Sequence, residues 1–339
     1  METMSIESNC GTKVIPSSID GDGYCLREEL GQGSFGTVYK ATNKEGALFA
    51  IKQIHRGHPT DDKEYKAKLK EFVKQEAKIL ARLKHPNIIK LREGAIKTLN
   101  YYYLVLDYCE DGDLSNLIKL TGRMSEEDAV KALKQLSKAL EELDKEQIIH
   151  RDLKPENILI HKGNYIICDL GLAKQAKQTG TNLGTPYTKA PEVAEPTDCK
   201  DGAYDSTVDL FSLGVTFYYM LYAKWPWEAH SPQELQHQKK SASGKNLPFP
   251  DQVSVSEPTK SLLRRMIAVK EDRLKVKEFL EIAEKLESKP APCMQVIAQP
   301  SNIVALIDNG QVHYSHHHLR SWECSNLNEA SLEDEDLPL

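Results

Sequence analysis

One stretch constrains this chain more than any other. It runs Ile148-Ile149-His150-Arg151-Asp152-Leu153-Lys154-Pro155-Glu156-Asn157-Ile158-Leu159 and is followed by Cys168-Asp169-Leu170-Gly171. An Asp, an Asn five residues on and an Asp-x-Gly twelve residues further supply one proton acceptor and two oxygen ligands for a hard divalent cation such as magnesium. The combination is specific, whereas each residue type alone is common.

A second motif lies upstream, where Gly31-Gln32-Gly33-Ser34-Phe35-Gly36-Thr37-Val38 follows an expected strand. Glycines at this spacing let backbone amides approach phosphate oxygens with no Cβ in the way. Alone the motif is weak, because a dinucleotide-binding turn has the same spacing and an ordinary glycine-rich loop also stays open. The dinucleotide fold continues into a helix, but Thr37-Val38-Tyr39-Lys40 reads as a strand. Lys52 stands in the strand Leu48-Phe49-Ala50-Ile51-Lys52, sixteen residues after Gly36. In isolation Lys52 would be a solvated surface lysine and Glu76 a solvated helix-face residue. As a pair they would hold an ammonium beside nucleotide phosphates.

Turn formers crowd the first 23 residues, among them Pro16, Ser17, Ser18, Gly21 and Gly23, and read as a flexible lead-in. Short β-branched or aromatic runs at 24–29, 37–42 and 47–54 predict strands of an antiparallel sheet. Between Asp61 and Lys84 the period changes: Leu69, Phe72, Val73, Ala77, Ile79, Leu80 and Leu83 recur mostly three and four apart, which predicts an amphipathic helix ending before His85 and Pro86. Strand-like runs return at 88–91 and 101–106, a turn is expected at Asp111-Gly112-Asp113, and the chain then becomes mainly helical. Ser125-Glu126-Glu127-Asp128 predicts a helix N-terminus, and 209–222 is apolar enough for a buried helix. After about Ser288, the prolines Pro290, Pro292 and Pro300 interrupt a stretch with no sustained periodicity. The expected fold class is α+β and bilobal: a small antiparallel-sheet lobe with one helix at 24–106 and a larger, mainly helical lobe at 110–287. Residues 1–23 and 288–339 are expected as tails, the second largely disordered.

Over about 24–287 these residues resemble the eukaryotic protein kinases of serine/threonine type. Gly184-Thr185-Pro186 and Ala190-Pro191-Glu192 match the end of that family's activation segment, Asp209 the start of its buried helix, and Arg273 the ion-pair partner of Glu192. The resemblance implies ATP and Mg2+ as cofactors and proteins with Ser or Thr acceptors as substrates. It implies that Leu30, Gly31, Gln32, Gly33, Ser34, Phe35, Gly36, Val38 and Ala50 line the ATP site from the sheet lobe. Leu106 as gatekeeper, Asp107 and Cys109 in the hinge, Asp113 and Leu159 complete it. Lys52, held by Glu76, orients the phosphates, and Asn157 and Asp169 bind the metal. Asp152 accepts the proton of the substrate hydroxyl while Lys154 balances charge on the transferring group. Leu80, Leu91, His150 and Leu170 fall where the family stacks its regulatory spine.

Arg151 beside Asp152 implies control by phosphorylation of the activation loop, with an upstream kinase as partner, Thr181 as the candidate acceptor and Thr179 as runner-up. Thr185 is expected to bond Asp152 and Lys154. Cys168 is expected to line the floor of the nucleotide pocket, within reach of an electrophile bound there. Leu170 departs from the family's usual Phe, and Tyr187-Thr188-Lys189 places its tyrosine one position early. Tyr219 stands where strongly basophilic relatives carry Glu, so several substrate arginines are not required, although Glu156 and Asp113 favour one basic residue. The stretches Tyr204 to Leu213 and Trp225 to Phe279 are loosely similar to the autophagy-initiating kinases and their relatives.

Charge and composition exclude other classes. The net charge is −6, and the acidic cluster Glu329, Glu333, Asp334, Glu335 and Asp336 accounts for five of it, leaving −1 for the rest. Nucleic acid is therefore not an expected partner. No run of 18 apolar residues occurs, so membrane insertion is not expected. Seven scattered cysteines without a C-x-x-C pair read as reduced thiols, which suits a cytoplasmic protein and leaves the nucleus open. His313, His316, His317 and His318 read as a polar tail, not a metal site.

Overall fold

The computed structural model describes residues 6–7, 13–17, 19, 21–33, 36–57, 63–172, 174–175, 186–194, 205–241, 244–287, 295–298, 303–308 and 311–316. The chain forms two units, residues 1–289 and 290–339. In the first, seven strands form one sheet: β1 (Ile6–Glu7), β2 (Lys13–Ile15), β3 (Tyr24–Gly33), β4 (Gly36–Thr42), β5 (Leu48–His55), β6 (Leu91–Lys97) and β7 (Tyr101–Asp107). The order is β1-β2-β3-β4-β5-β7-β6, and every pairing is antiparallel.

Alternation along β5 and β7 divides this lobe into two packed layers. Ile51, Tyr103 and Val105 face one side, where they bury with Ile15, Tyr24, Leu26 and Ala41. Ile54, Tyr102 and Leu104 face the other and pack on Val73 of helix α1 (Lys63–Arg82). The expected flexible lead-in is thus partly structured. Val14 and Ile15 pair with Cys25 and Tyr24, and the side chain of Ile15 is fully buried, a gain of about 1.5–3 kcal/mol that offsets the ordering of this segment. Gly23 makes the turn possible: its φ is +75°, and a Cβ there would stand 2.2 Å from the carbonyl oxygen of Ile15.

The expected strand at 88–91 differs as well. Ile88 makes an isolated parallel bridge with Ile167, and Ile89 donates its N–H to the carbonyl of Ile167 at 2.8 Å. These residues tie the two lobes together, and the sheet resumes at Leu91.

The second lobe is helical: α2 (Leu114–Thr121), α3 (Glu126–Lys145), α4 (Pro191–Ala194), α5 (Thr207–Tyr222), α6 (Pro232–Ser241), α7 (Glu257–Met266) and α8 (Val276–Lys285). Ser125 caps α3 as expected, its hydroxyl accepting from the N–H of Asp128 at 3.0 Å. Helix α5 is buried on nearly every side, so its apolar run needs no polar face. At Gly214 a Cβ would lie 2.8 Å from Cβ of Met266, so glycine permits the close approach of α5 and α7. Four short strands complete the unit: β8 (Ile148–Ile149) pairs with β11 (Lys174–Gln175), and β9 (Ile158–His161) with β10 (Asn164–Ile167).

In the second unit, β12 (Gln295–Ala298), β13 (Ile303–Asp308) and β14 (Gln311–His316) form an antiparallel sheet in the stretch expected as a tail. The apolar run Ile303 to Ile307 supplies its central strand. His317 and His318 lie outside the described residues.

Candidate active site

The β9–β10 hairpin joins the two halves of the decisive motif. Its register sets Ile158 opposite Ile167, so Asn157 before the first strand meets Cys168 after the second. The N–H of Cys168 donates to the carbonyl of Asn157 at 2.9 Å, and a ring nitrogen of His150 lies 2.9 Å from the carbonyl of Cys168. Residues spaced along the sequence become one wall of a cleft.

Asp209, at the start of α5, fixes that wall from below. Its carboxylate accepts from the N–H of His150 at 2.7 Å and of Arg151 at 2.8 Å. Arg151 has φ +68° and Asp169 φ +59°, left-handed values that cost a non-glycine residue of order 1–3 kcal/mol unless the surroundings enforce them. The two bonds from Asp209 enforce the first. Burial pushes the Asp209 carboxyl up, and the charge of His150 and the two N–H donors oppose it. The sequence reading placed Asp209 at a helix start but missed this clamp. A lone acid opening an otherwise apolar helix was its only signal.

Asp152 is buried and ringed by donors. Asn157 donates its side-chain amide to the Asp152 carbonyl at 2.8 Å and to Oδ2 at 3.1 Å, and Nζ of Lys154 lies 3.0 Å from Oδ2. Across the cleft, Lys52 bonds Oε1 of Glu76 at 2.7 Å and Oδ1 of Asp169 at 2.8 Å. Burial by itself would push the Lys52 ammonium down, but the two carboxylates overcome it and hold the group above the usual lysine range. Burial likewise works against ionisation of Asp169, and Lys52 outweighs it, so this carboxyl sits below its ordinary value. Glu76 is pushed up by burial, with Lys52 opposing. Space at Gly171 is tight, since a Cβ would press on Nζ of Lys52 at 3.2 Å and on Oδ1 of Asp169 and the ring of Phe72 at 3.3 Å.

The sheet lobe roofs this centre. A Cβ on Gly31 would meet nothing within 4 Å and one on Gly33 only a carbonyl at 3.9 Å, so open space lies over these backbones where phosphates would approach. Gly36 has φ +146°, and a Cβ there would clash at 2.0 Å with the carbonyl of Gln53. Gln32 pairs with Thr37, Val38 with Lys52 and Ala50 with Leu106, which brings these residues onto adjoining strands. Leu30 leaves 44% of its surface exposed, an apolar edge available to a flat ligand. Leu106, Cys109, Leu159 and Cys168 are partly buried against the core of the helical lobe. Asp107 pairs with Arg92, and Asp113 caps α2 by accepting from the N–H of Asn116 at 2.8 Å. Leu80 and Leu170 lie in the main core with Leu91 against it, and His150 is fully buried.

Glu192 and Arg273 meet as expected, at 2.6 and 3.0 Å in a two-pronged pair. Ser34, Phe35, Thr179, Thr181, Gly184 and Thr185 lie outside the described residues. Lys239, which the sequence reading passed over, is buried, as is Lys189 of the Tyr187-Thr188-Lys189 stretch. Among the described residues no three His, Cys, Asp or Glu side chains gather to hold a metal. The oxygens of Asn157 and Asp169 on adjoining loops suit Mg2+, which keeps waters and phosphate oxygens as its other ligands. No helix among the described residues is long and apolar enough to cross a membrane.

A glycine-roofed cleft with a lysine fixed by two carboxylates and a buried aspartate opposite defines a phosphoryl-transfer enzyme. The chain belongs to the protein kinase domain family, which matches residues 24–283. It is 36% identical over 256 residues to myosin light chain kinase A of Dictyostelium discoideum, a match spanning 73% of this chain and 82% of the relative. It is 33% identical to serine/threonine-protein kinase SAPK9 of Oryza sativa subsp. japonica, across 74% of this chain and 68% of that one. With serine/threonine-protein kinase 33 of Bos taurus it shares 32% identity over 76% of this chain and 54% of the relative.

Proposed function

We propose that this chain transfers the γ-phosphoryl group of ATP to Ser and Thr hydroxyls of protein substrates. The observation that carries the reading is the assembled centre, in which Lys52 is bound by both Glu76 and Asp169 while Asp152 is backed by Asn157 and Lys154. Asp152 takes the hydroxyl proton as the substrate oxygen attacks the γ-phosphorus. The bond from that phosphorus to the β,γ-bridging oxygen breaks, and ADP leaves with the electron pair. Lys154 stabilises the charge on the transferring group, and Lys52 orients the α- and β-phosphates. Asn157 and Asp169 would hold Mg2+, which when bound neutralises charge on the β- and γ-phosphate oxygens. The names of the relatives support Ser and Thr as acceptors.

Arg151 carries the proposed regulation. A phosphate on Thr181, placed by an upstream kinase, would pair with its guanidinium and order the activation segment. The free thiols of Cys25, Cys109 and Cys168 support a reducing compartment, the cytoplasm or nucleus.

A peptide-array assay with radiolabelled ATP and Mg2+ tests the reading. Ser and Thr peptides should be labelled, and Asp152→Asn should lower turnover by about 10³-fold while ATP binding persists. Phosphatase treatment of protein phosphorylated on Thr181 should lower activity. Absence of transfer by the phosphorylated wild-type protein would overturn the activity, and an unchanged rate after phosphatase the regulation.

A further inference from the structure

Helix α6 buries two side chains, Leu235 and Lys239, four residues apart on one face. A lysine on an apolar stripe calls for an explanation, because an interior ammonium needs partners. Nζ of Lys239 donates to the carbonyl of Lys189 at 2.7 Å and to that of Pro186, and it stands 5.6 Å over the ring of Trp227. One turn earlier, Gln236 donates its amide to the carbonyl of Pro191 at 2.7 Å. Three carbonyls of the segment 186–191 are therefore held by side chains of one helix.

The same segment faces the catalytic centre. Lys189 is buried, its amine pushed down by burial, with the charge of Asp152 opposing this shift and that of Arg151 adding to it. Tyr187 stacks on Trp225 at 5.7 Å. Beneath, Trp227 stacks on Phe211, Arg273 lies over Phe211, and Arg273 grips Glu192 of α4. Lys239 thus closes a ring of contacts that begins on the carbonyls of Pro186 and Lys189 and ends on the carboxylate of Glu192. Among the described residues it meets no carboxylate, and burial with the neighbouring Lys189 pushes its amine down to about 7.

We infer that Lys239 is a positioning residue for protein substrate: by holding the carbonyls of Pro186 and Lys189 it fixes the segment 186–191 beside Asp152, where an acceptor residue must arrive, with Gln236 as its helper. The inference rests on the kinase reading above. Lys239→Met keeps the volume of the side chain and removes its donors.

The test is steady-state kinetics of the full chain with a Ser/Thr peptide chosen from the array. Lys239→Met should lower kcat/KM for the peptide by about 10- to 100-fold, mainly through a higher peptide KM, while KM for ATP stays within about twofold. Gln236→Leu should raise the peptide KM by about threefold, and it decides the matter if Lys239→Met does not fold. A loss of folded protein alone would lower the rate with both KM values unchanged. Unchanged peptide KM in the folded variant, or equal shifts in both KM values, overturns the inference. Wild-type protein that transfers no phosphate would instead sink the kinase reading.

Discussion

Two of the lysines buried among the described residues, one on each side of the cleft, are treated in opposite ways. Lys52, on the nucleotide side, meets two carboxylates and is held above the usual lysine range. Lys239, on the substrate side, meets two carbonyls and an aromatic ring and is pushed down to about 7. Burial acts on both in the same direction, so the difference lies in the partners. Full opposite charges fix an ammonium whose charge must reach phosphates. Dipoles and a ring suffice for a group that only has to hold backbone in place.

The sharpest way to break this contrast is Lys52→Met. It should lower kcat/KM by about 10²- to 10³-fold and weaken ATP positioning, whereas Lys239→Met should spare the KM for ATP. Equal effects of both variants on nucleotide kinetics would erase the distinction. A smaller effect is expected on stability: Glu76→Ala leaves Lys52 buried with only Asp169 and should cost about 3 kcal/mol in denaturant unfolding. A loss under about 1 kcal/mol would mean that Asp169 alone compensates the charge.

The pH dependence of stability separates the two lysines again. For Lys239 the folded pKa lies near 7, below the unfolded value, so the unfolded chain binds more protons between about pH 7 and 10.5 and stability rises with pH across that window. Comparison of wild type with Lys239→Met should show a slope of up to about 1.4 kcal/mol per pH unit that the variant lacks. Lys52 has its pKa raised, so its stabilisation is fully present below about pH 10.5 and is lost only as pH climbs towards the folded value. No slope from Lys52 is expected at pH 7–9. The smallest effect concerns Cys168, whose thiol is pushed well up by burial. Labelling by an ATP-site electrophile should be slow at neutral pH, rise about tenfold per pH unit, and be suppressed by magnesium-ATP. Peptide mass spectrometry that finds rapid labelling at pH 7 would contradict this environment.

What the sequence made legible follows from distance along the chain. The 148–171 motif, the helix from 63 and the Ser125 cap each depend on neighbours within a few turns or one hairpin, and local pattern was enough. The Lys52–Glu76 pair was reached through resemblance, since each residue alone reads as solvated. Contacts that span many residues were not legible. Ile15 looked like part of a loose lead-in because its burial depends on β5 and β7, and Lys239 drew no notice because its partners lie on a segment about fifty residues away. One local signal was passed over: Asn309-Gly310, between the apolar run and β14, is a strong hairpin dipeptide.

The bond between Asp209 and the backbone of His150 and Arg151 also sets a schedule for the newly made chain. The catalytic loop is synthesised 59 and 58 residues ahead of the carboxylate that holds it. At roughly 5–20 residues per second, several seconds pass before the loop can settle into its left-handed conformation. During that interval the nascent chain carries Asp152 without the support that aims it. Until α5 has emerged and docked, no carboxylate of Asp209 is at hand to accept from the N–H groups of His150 and Arg151 and to enforce the left-handed turn at Arg151.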